Sequence, residues 1–194
     1  MQFRNELYYI TPIVNIASIM EEGVLCHKLA ENVQHDSIAL EDVQKRREGK
    51  KVPNARHLHE YVNFYFNARN PMMYLRRNLY KETCVLSISA DVLSLPGVVV
   101  SDMNAARDLC RFMEPFKALE ILDFDMIYTK NWNVSDNSLK YKLQGAVCAE
   151  VLVPNSVAYN YIQSVHIADQ SIEASLIELD FDKQIICDAD MFFR

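Results

Sequence analysis

Two arginines and one glutamate are the residues of this sequence that are best suited to binding or catalysis. Arg46 and Arg47 stand side by side in the basic run KRREGKK (45–51), and a guanidinium fork binds a diphosphate through paired hydrogen bonds. Glu150 lies inside the apolar run VCAEVLV (147–153). A carboxylate among such neighbours is costly to bury unless it is paired or functional. The alternatives are a solvated basic loop and an edge-strand glutamate that points to water.

The segment HLHEYVNFYFNARNPMMY (57–74) mixes aromatic rings, amides and histidines. Such side chains suit flat rings, among them nicotinamide, adenine and an unstacked base. An aromatic-rich core segment is the structural alternative. His57 and His59 have ligand character, but no third ligand follows at typical spacing, so the sequence predicts no metal site.

Length and composition predict one folded domain over residues 1–194. Half of the residues are hydrophobic and only four are glycine, which is typical of a globular protein, and no Pro/Gly/Ser-rich linker interrupts the chain. The five cysteines form no CxxC pair, which favours buried free thiols in a reducing compartment. The chain lacks a signal-peptide pattern and a run of about 18 apolar residues, so we expect a soluble, cytoplasmic protein with no membrane contact.

The net charge of −6 argues against a nucleic-acid footprint spread over the whole surface. Any contact with nucleic acid must therefore use a local basic patch. The run 45–51 is one candidate, and the basic residues between Arg69 and Lys81 form a second.

Hydrophobic periodicity predicts both helices and strands. Strands are expected at 7–10, 83–89, 147–153, 164–168 and 184–188, and helices over 12–22, about 36–46, and after Ser101 or Asp102. A long polar loop is expected over 130–142, and residues 58–66 fit a strand or a loop. Because strands outnumber helices in the C-terminal half, the sequence predicts an α+β fold with an antiparallel core.

Five segments, spread in order over nearly the whole chain, carry a combined motif pattern. They are YYITPIVNIASIMEEGVL (8–25), EDVQKRREGKKVP (41–53), LHEYVNFYFNARNPMMY (58–74), VVVSDMNAA (98–106) and LQGAVCAEVLVP (143–154). Together they resemble the DarT family of DNA ADP-ribosyltransferases, and the third segment is the most specific. The chain departs from the family at Tyr9, where the first motif usually has His. The resemblance implies an ADP-ribosyltransferase-like fold of split antiparallel β-sheets with flanking helices.

The resemblance also implies roles for individual residues. Glu150 corresponds to the catalytic glutamate and Arg46 to the catalytic arginine. The residues expected to bind NAD⁺ are Tyr9, Thr11, Asn15, His59, Tyr65, Arg69 and Tyr74. Those expected to bind DNA are Arg47, Lys50, Lys51 and Arg76. NAD⁺ is a co-substrate, no metal or tightly bound cofactor is implied, and residues 130–147 are expected to present the acceptor.

The implied activity is that of a toxin that transfers ADP-ribose from NAD⁺ to a base of single-stranded DNA. The expected protein partner is a macrodomain antitoxin of the DarG kind. The third segment departs from the pattern of thymine-modifying members, which favours guanine as the acceptor base and leaves thymine as the alternative. Transfer to RNA or protein, or a catalytically silent nucleotide-binding module of the same fold, are the rival interpretations.

Overall fold

The structure, a computed structural model, describes residues 1–53 and 55–194. The strands are β1 (Glu6–Pro12), β2 (Val24–Leu25), β3 (Tyr61–Tyr65), β4 (Thr83–Ser89), β5 (Val99–Ser101), β6 (Phe112–Met113), β7 (Glu150–Pro154), β8 (Ser156–Val157), β9 (Ile162–Ile167) and β10 (Gln184–Cys187). The α-helices are α1 (Ile16–Glu22), α2 (His27–Ala30), α3 (Glu41–Glu48), α4 (Pro71–Leu75), α5 (Pro115–Ile121), α6 (Phe124–Ile127), α7 (Asn137–Ala146) and α8 (Glu173–Glu178).

Eight of the strands form one sheet in the order β10-β9-β4-β1-β3-β7-β5-β6, and β2 pairs with β8 separately. All neighbouring strands of the large sheet are antiparallel except β9 and β10. The predicted α+β class with an antiparallel core is therefore confirmed. No α-helix in the described ranges is long and apolar enough to cross a membrane.

The sheet is divided at the seam between β1 and β3, whose described residues share one in-register pair, Tyr8 with Tyr65. On its other side β1 pairs with β4 along its whole length, and β3 pairs with β7 in the same way. We call β10-β9-β4-β1 the first half and β3-β7-β5-β6 the second half. The two halves diverge beyond Tyr8 and Tyr65, which confirms the split sheet that the resemblance implies.

The two faces of the sheet differ in character. One face carries the main hydrophobic core, in which Leu7, Phe64 and Val151 are fully buried. The opposite face carries a row of buried polar side chains that are paired in register across six strands. This polar row consists of Ser164, Ser87, Tyr8, Tyr65, Glu150 and Ser101. Glu150 is thus a central position of the second half, flanked by β3 and β5.

The first predicted helix starts later than the sequence suggests. Thr11 and Pro12 were expected to begin it, but β1 continues through both, and a 3₁₀ turn at Ile13–Asn15 leads into α1. The expected stop at Gly23 is confirmed, because this residue has φ +76°. A Cβ there would lie 2.4 Å from the carbonyl oxygen of Val157, so glycine is also needed for the close approach of the two segments.

Four further segments differ from the prediction. The helix expected after Asp102 is a loop, because the Asp102 carboxylate accepts hydrogen bonds from the backbone N–H of Arg111 (2.9 Å) and from its guanidinium (2.6 Å).

Residues 137–142, expected as loop, belong to α7, which Asp136 caps. β7 begins at Glu150 and not at 147, since 147–149 form the turn that follows α7. The helix expected at 36–46 is α3, which starts only at Glu41.

All five cysteines lie in the described ranges, and none forms a disulfide. Cys26, Cys84 and Cys148 are buried as expected, Cys110 is half-buried, and Cys187 is exposed. Burial raises the pKa of the Cys84 thiol to about 12, so this thiol is unreactive at neutral pH.

Candidate active site

A cavity of about 810 Å³ opens where the two halves of the sheet diverge. Its volume lies in the upper part of the range of small-molecule sites. The walls come from β1, β3 and α3, from the segments 36–40 and 130–133, and from Phe193 near the C-terminus. The cavity is therefore assembled from segments that are far apart along the chain.

Glu150 is fully buried beside this cavity, and its carboxylate is held from two sides. The guanidinium of Arg47 donates from Nη1 to both carboxylate oxygens, at 3.0 and 3.3 Å. The backbone N–H of Ala105, in the loop that replaces the expected helix, donates to Oε1 at 3.3 Å. The charge of the carboxylate is thus paired, as a buried charge requires.

Arg47 is 5% exposed and connects Glu150 to the cavity, which Arg47 itself lines. Its second terminal nitrogen, Nη2, is buried and has no hydrogen-bond partner within the described part of the chain. When one terminal nitrogen of a guanidinium donates to a carboxylate and the other is unpaired, the guanidinium can still donate a hydrogen bond to a ligand. Arg46 also lines the cavity but is exposed, and its Nε donates to the carbonyl of Asp42 in its own helix at 3.2 Å.

The cavity is basic although the chain is acidic. Its lining cations are Arg46, Arg47, Arg107 and Lys130. Within the described residues, Asp36 is the only carboxylate among the lining side chains. A concentration of positive charge in a chain of net charge −6 marks this cavity as the place for an anionic ligand.

The 36–40 wall is fixed by two residues that the sequence analysis assigned to binding. Asn15 donates to the carbonyl of Asp36 (2.8 Å) and accepts from its N–H (2.9 Å). Arg76 donates to the carbonyls of Ile38 (2.6 Å) and Ala39 (3.1 Å). Arg76 therefore stabilises the wall by hydrogen bonds and does not itself line the cavity.

Aromatic rings close the cavity on the C-terminal side. Phe193 packs edge-on against Tyr74 and Trp132, with ring centroids 5.2 and 5.5 Å apart. The guanidinium of Arg69 lies 3.8 Å from the centroid of Phe193 and donates to the carbonyl of Asp190 at 3.0 Å. Arg69 thus anchors the C-terminal segment, while the rings of Tyr74, Trp132 and Phe193 line the cavity.

Several titrating groups at the site are shifted by burial. The pKa of Tyr65 is raised well above its usual value, first by burial and then by the charge of Glu150. Burial raises the pKa of Tyr9 to about 12 and that of the Cys148 thiol to about 12. The pKa of His59 is lowered by burial, by His27 and by Arg47. Both tyrosines therefore keep a neutral hydroxyl at physiological pH.

The structure brings most, but not all, of the sequence-predicted site residues to the cavity. Those that line it are Tyr9, Thr11, Asn15, Arg46, Arg47, His59, Tyr65 and Tyr74. Those that do not are Arg69, Lys50, Lys51 and Arg76, together with Glu150, which lies behind Arg47. Lys50 donates to the carbonyl of Arg107, and Lys51 is exposed.

Sequence reasoning missed several residues of the cavity. These are His27, Gln44, Arg107, Trp132 and Phe193, with the backbone N–H of Ala105 at Glu150. A backbone donor has no sequence signal, and nothing local marks Phe193. The polar stretch around Trp132 was expected to present an acceptor, and that was the available signal for this ring.

The described residues contain no group of three or more His, Cys, Asp or Glu side chains placed to hold a metal ion. His57 and His59, the pair considered from the sequence, make other contacts. The Nε2 atom of His59 lies 3.1 Å from Oε1 of Gln44, and the N–H of His57 donates to Glu60 at 3.1 Å.

A split sheet with a basic cleft, in which a buried glutamate at the start of a central strand is paired with a buried arginine from a helix, defines an ADP-ribosyltransferase type of protein. Residues 8–193 match the family model described as "ssDNA thymidine ADP-ribosyltransferase, DarT". The chain belongs to this family.

Relatives and solved structures agree with this assignment. A DNA ADP-ribosyl transferase–DNA ADP-ribosyl glycohydrolase fusion protein of Thermosipho africanus (strain H17ap60334) is 28% identical in an alignment of 199 residues that covers 97% of this chain and 49% of that protein. The chain thus spans about half the length of that relative. A DNA ADP-ribosyl transferase of Thermus sp. (strain 2.9) is also 28% identical, over 89% of this chain and 86% of its own length.

The fold agrees with solved structures as well. The structure of Thermus sp. 2.9 DarT in complex with ADP-ribosylated ssDNA superposes with a TM-score of 0.88 at 23% identity, covering 100% of this chain and 99% of the other. Thermosipho africanus DarTG in complex with ADP-ribose gives 0.83 at 25% identity, covering 97% of this chain and 51% of that one.

Proposed function

We propose that this chain transfers ADP-ribose from NAD⁺ to a base of single-stranded DNA and releases nicotinamide. The observation that carries the proposal is the Arg47–Glu150 pair: one guanidinium nitrogen of this cavity-lining arginine holds the buried carboxylate, and the other is buried with no hydrogen-bond partner among the described residues. This arrangement places an anion-binding donor directly beside a carboxylate that can stabilise a cationic sugar. Family membership agrees with this chemistry.

Arg47 takes the place that the sequence analysis gave to Arg46. Arg47 contacts Glu150 and has an unpaired donor, whereas Arg46 is exposed and bonds to its own helix. We therefore propose Arg47 as the arginine that acts with Glu150, and Arg46 as a peripheral cation for the diphosphate. A diphosphate at the mouth of the cavity would meet both guanidinium groups.

The reaction breaks the bond between nicotinamide and the ribose carbon, and the bonding electrons leave with nicotinamide, which becomes neutral. Positive charge then builds on the ribose, and the Glu150 carboxylate stabilises it electrostatically. Because Arg47 covers this carboxylate, contact with a ribose hydroxyl requires part of the guanidinium to turn from Glu150 towards the substrate. A base nitrogen then forms the new bond to the ribose carbon, and its proton passes to Glu150 or to water.

We propose that the acceptor enters over the segment 130–133 and α7. Lys130, Asn131, Trp132 and Asn133 line the cavity on this side, and Gln144 of α7 faces it as well. An unstacked base finds there an aromatic ring, a cation for its phosphate and amides for its edge. Lys51, exposed at the end of the basic run, remains a candidate for a DNA phosphate.

The acceptor base is guanine or thymine. Guanine is favoured by the departure of residues 58–74 from the thymine-type pattern, and thymidine is named in the description of the family model. Part of the departure has another explanation, because Asn67 donates to the carbonyl of Ile127 (2.7 Å) and Asn70 accepts from the N–H of Met73 (3.1 Å). These amides therefore contribute to the stability of the fold.

The partner and the location follow from the proposed reaction. A DNA ADP-ribosyl glycohydrolase is part of the Thermosipho relative, and we propose a macrodomain antitoxin of the DarG kind as the partner of this chain. NAD⁺ and single-stranded DNA must occur in the same compartment, so the proposal includes a cytoplasmic location.

The test is to incubate the protein with NAD⁺ labelled in its ADP-ribose part and, separately, with single-stranded DNA, RNA or a protein lysate. We expect label on single-stranded DNA and much less on the same sequence as a duplex, where freeing a base from its stack costs a few kcal/mol. Oligonucleotides that contain G without T, or T without G, identify the base. Label on RNA or protein in preference to DNA contradicts the proposal, and no label on any acceptor supports a silent nucleotide-binding module.

A further inference from the structure

Two imidazole rings lie against each other at the edge of the cavity nearest Arg47. His27 is the first residue of α2, and His59 lies in the 3₁₀ turn Leu58–Glu60 before β3. Their ring centroids are 4.2 Å apart, with an angle of 47° between the planes. Both rings line the cavity, and we call them the His pair.

A second, smaller pocket of about 290 Å³ is lined by the same two rings. Three carboxylates line it, those of Glu31, Glu48 and Glu60, together with His57 and Lys28. The His pair therefore borders both a basic cavity and an acidic pocket. A proton on either ring is attracted by the carboxylates of the acidic pocket and repelled by the cations of the basic cavity.

The charged groups around the His pair set this balance. Glu31, which directly follows α2, lies with its carboxylate 3.7 Å from His27 Nε2. On α3, Arg47 lowers the pKa of His59 and Glu48 raises it, while burial is the largest lowering cause and His27 is the next. The charge of Glu60 is already shared with Lys28 at 3.1 Å.

We infer that the His pair is a proton-linked element of the phosphate-binding site, which takes up one proton from solvent when a phosphate or diphosphate binds beside Arg46 and Arg47. The inference rests on the proposed function. An arriving phosphate compensates the charge of Arg47 and adds a negative charge to the cavity that the rings line, while the carboxylates remain at the smaller pocket. The proton then stabilises the bound anion, and binding strengthens as the pH falls.

The test is calorimetric titration of the whole chain with ADP-ribose, which carries the diphosphate but has no nicotinamide to lose. Titrations between pH 6 and 8, in buffers with different ionisation heats, count the protons taken up. We expect uptake of up to one proton and an affinity that rises by up to about tenfold per unit fall in pH across that window. A parallel titration with a short single-stranded oligonucleotide shows whether the phosphate that is sensed belongs to the dinucleotide or to DNA.

The double variant His27→Gln/His59→Gln should bind ADP-ribose without proton uptake, and its affinity should vary little over the same pH range. His166→Gln is the matched control, because this histidine is buried on the first half of the sheet and does not line the cavity. It should retain the full uptake. Should the double variant fail to fold, the imidazole NMR signals of the wild-type protein provide the second measurement, and those of His27 and His59 must shift on binding while that of His166 does not.

Each outcome bears on a different statement. Binding of ADP-ribose and of DNA without proton uptake, or with uptake retained in the double variant, overturns the role of the His pair and leaves the proposed function intact. Uptake with the oligonucleotide alone assigns the His pair to a DNA phosphate. Failure of ADP-ribose to bind at any pH overturns the proposed function, and the role of the His pair with it.

Discussion

Glu6 and Glu150 are the carboxylates of the two halves of the sheet, and they are held in different ways. Glu6 accepts hydrogen bonds from the hydroxyl of Tyr8 (2.6 Å), also on β1, and from the hydroxyl of Ser87, on the neighbouring β4. Glu150 accepts from the guanidinium of Arg47 and from the backbone N–H of Ala105, which come from α3 and from the loop after β5. Glu6 is half-buried and Glu150 is wholly buried.

The difference separates a structural carboxylate from a candidate catalytic one. The partners of Glu6 are neutral and belong to the same sheet register, so this network forms wherever the strands pair. The partner of Glu150 is a charged, cavity-lining side chain brought from 103 residues away, and its second terminal nitrogen has no hydrogen-bond partner in the described ranges. The distinguishing sign is therefore this charged partner with donor capacity left over, since burial of polar groups is common to both halves.

The largest expected effect separates the two carboxylates by activity. Glu150→Gln keeps the size of the side chain and removes its charge, so ADP-ribose transfer should fall on the order of 10³-fold. Glu6→Gln should leave the rate within a few-fold of the wild type. Both rates are measured as label transferred from NAD⁺ to single-stranded DNA. Near-wild-type turnover of Glu150→Gln would remove Glu150 from the reaction and erase the contrast between the halves.

The second effect separates the two neighbouring arginines. Arg47→Lys retains the charge but loses the fork that joins Glu150 to the cavity, and we expect a fall in transfer rate of roughly 10²-fold. Arg46→Lys should act on the KM for NAD⁺ with little change in kcat, because Arg46 is exposed and does not contact Glu150. Steady-state kinetics of the two variants decide the matter. The reverse pattern would restore Arg46 to the role that the sequence analysis gave it.

The third effect concerns stability. Glu150→Ala leaves the Arg47 charge buried without its partner, which should cost about 3–5 kcal/mol in the free energy of unfolding. Glu6→Ala leaves only neutral hydroxyls and should cost roughly 1 kcal/mol. Chemical denaturation of both variants gives the two values. Equal losses would show that the network around Glu6 depends on charge as much as the one around Glu150.

The smallest effect concerns pH in the first half. Burial lowers the pKa of His166, so the unfolded chain binds this proton more readily than the folded one. Above the pKa of about 6.5 that histidine has in the unfolded chain, His166 is neutral in both states and costs no stability. As the pH falls from there towards the lower pKa of the folded state, the unfolded chain binds the proton first, and the free energy of unfolding decreases. His166→Gln should therefore flatten the decline in stability between pH 7 and 5, with transfer unaffected. The measurement is the denaturation midpoint as a function of pH across this range. If its slope against pH is the same in the variant as in the wild type, His166 is not responsible for the decline.

Much of the first half was predictable from local pattern. The strands β1 and β4 follow from short apolar runs, and the stop at Gly23 follows from residue type. These features depend on residues adjacent in the chain, and periodicity reports such features well. For Glu150, in the second half, the apolar neighbours left two alternatives, a buried carboxylate and an edge-strand glutamate that points to water, and the structure shows the buried one.

The remaining features depend on contacts between distant segments. The loop after Asp102 replaces a plausible helix because its ends are tied together at Arg111 and its Ala105 N–H is used by Glu150. Which of Arg46 and Arg47 faces Glu150 depends on the rotation of α3 about its axis, because successive residues of an α-helix point in directions about 100° apart. A signal was present, since Val43 is the only apolar residue of that helix and Arg47 lies four positions after it, on the same side.

The seam between β1 and β3 gives this sheet an edge in its interior. Beyond Tyr8 and Tyr65, the described residues of these strands lack the ladder that joins neighbouring strands elsewhere in the sheet. Exposed strand edges usually invite pairing with another polypeptide, and proteins protect them with charge or cover. Here the edge borders a cavity that is lined by segments from other parts of the chain. Because those segments surround the gap, we expect the strands beside it to be shielded from pairing with another polypeptide.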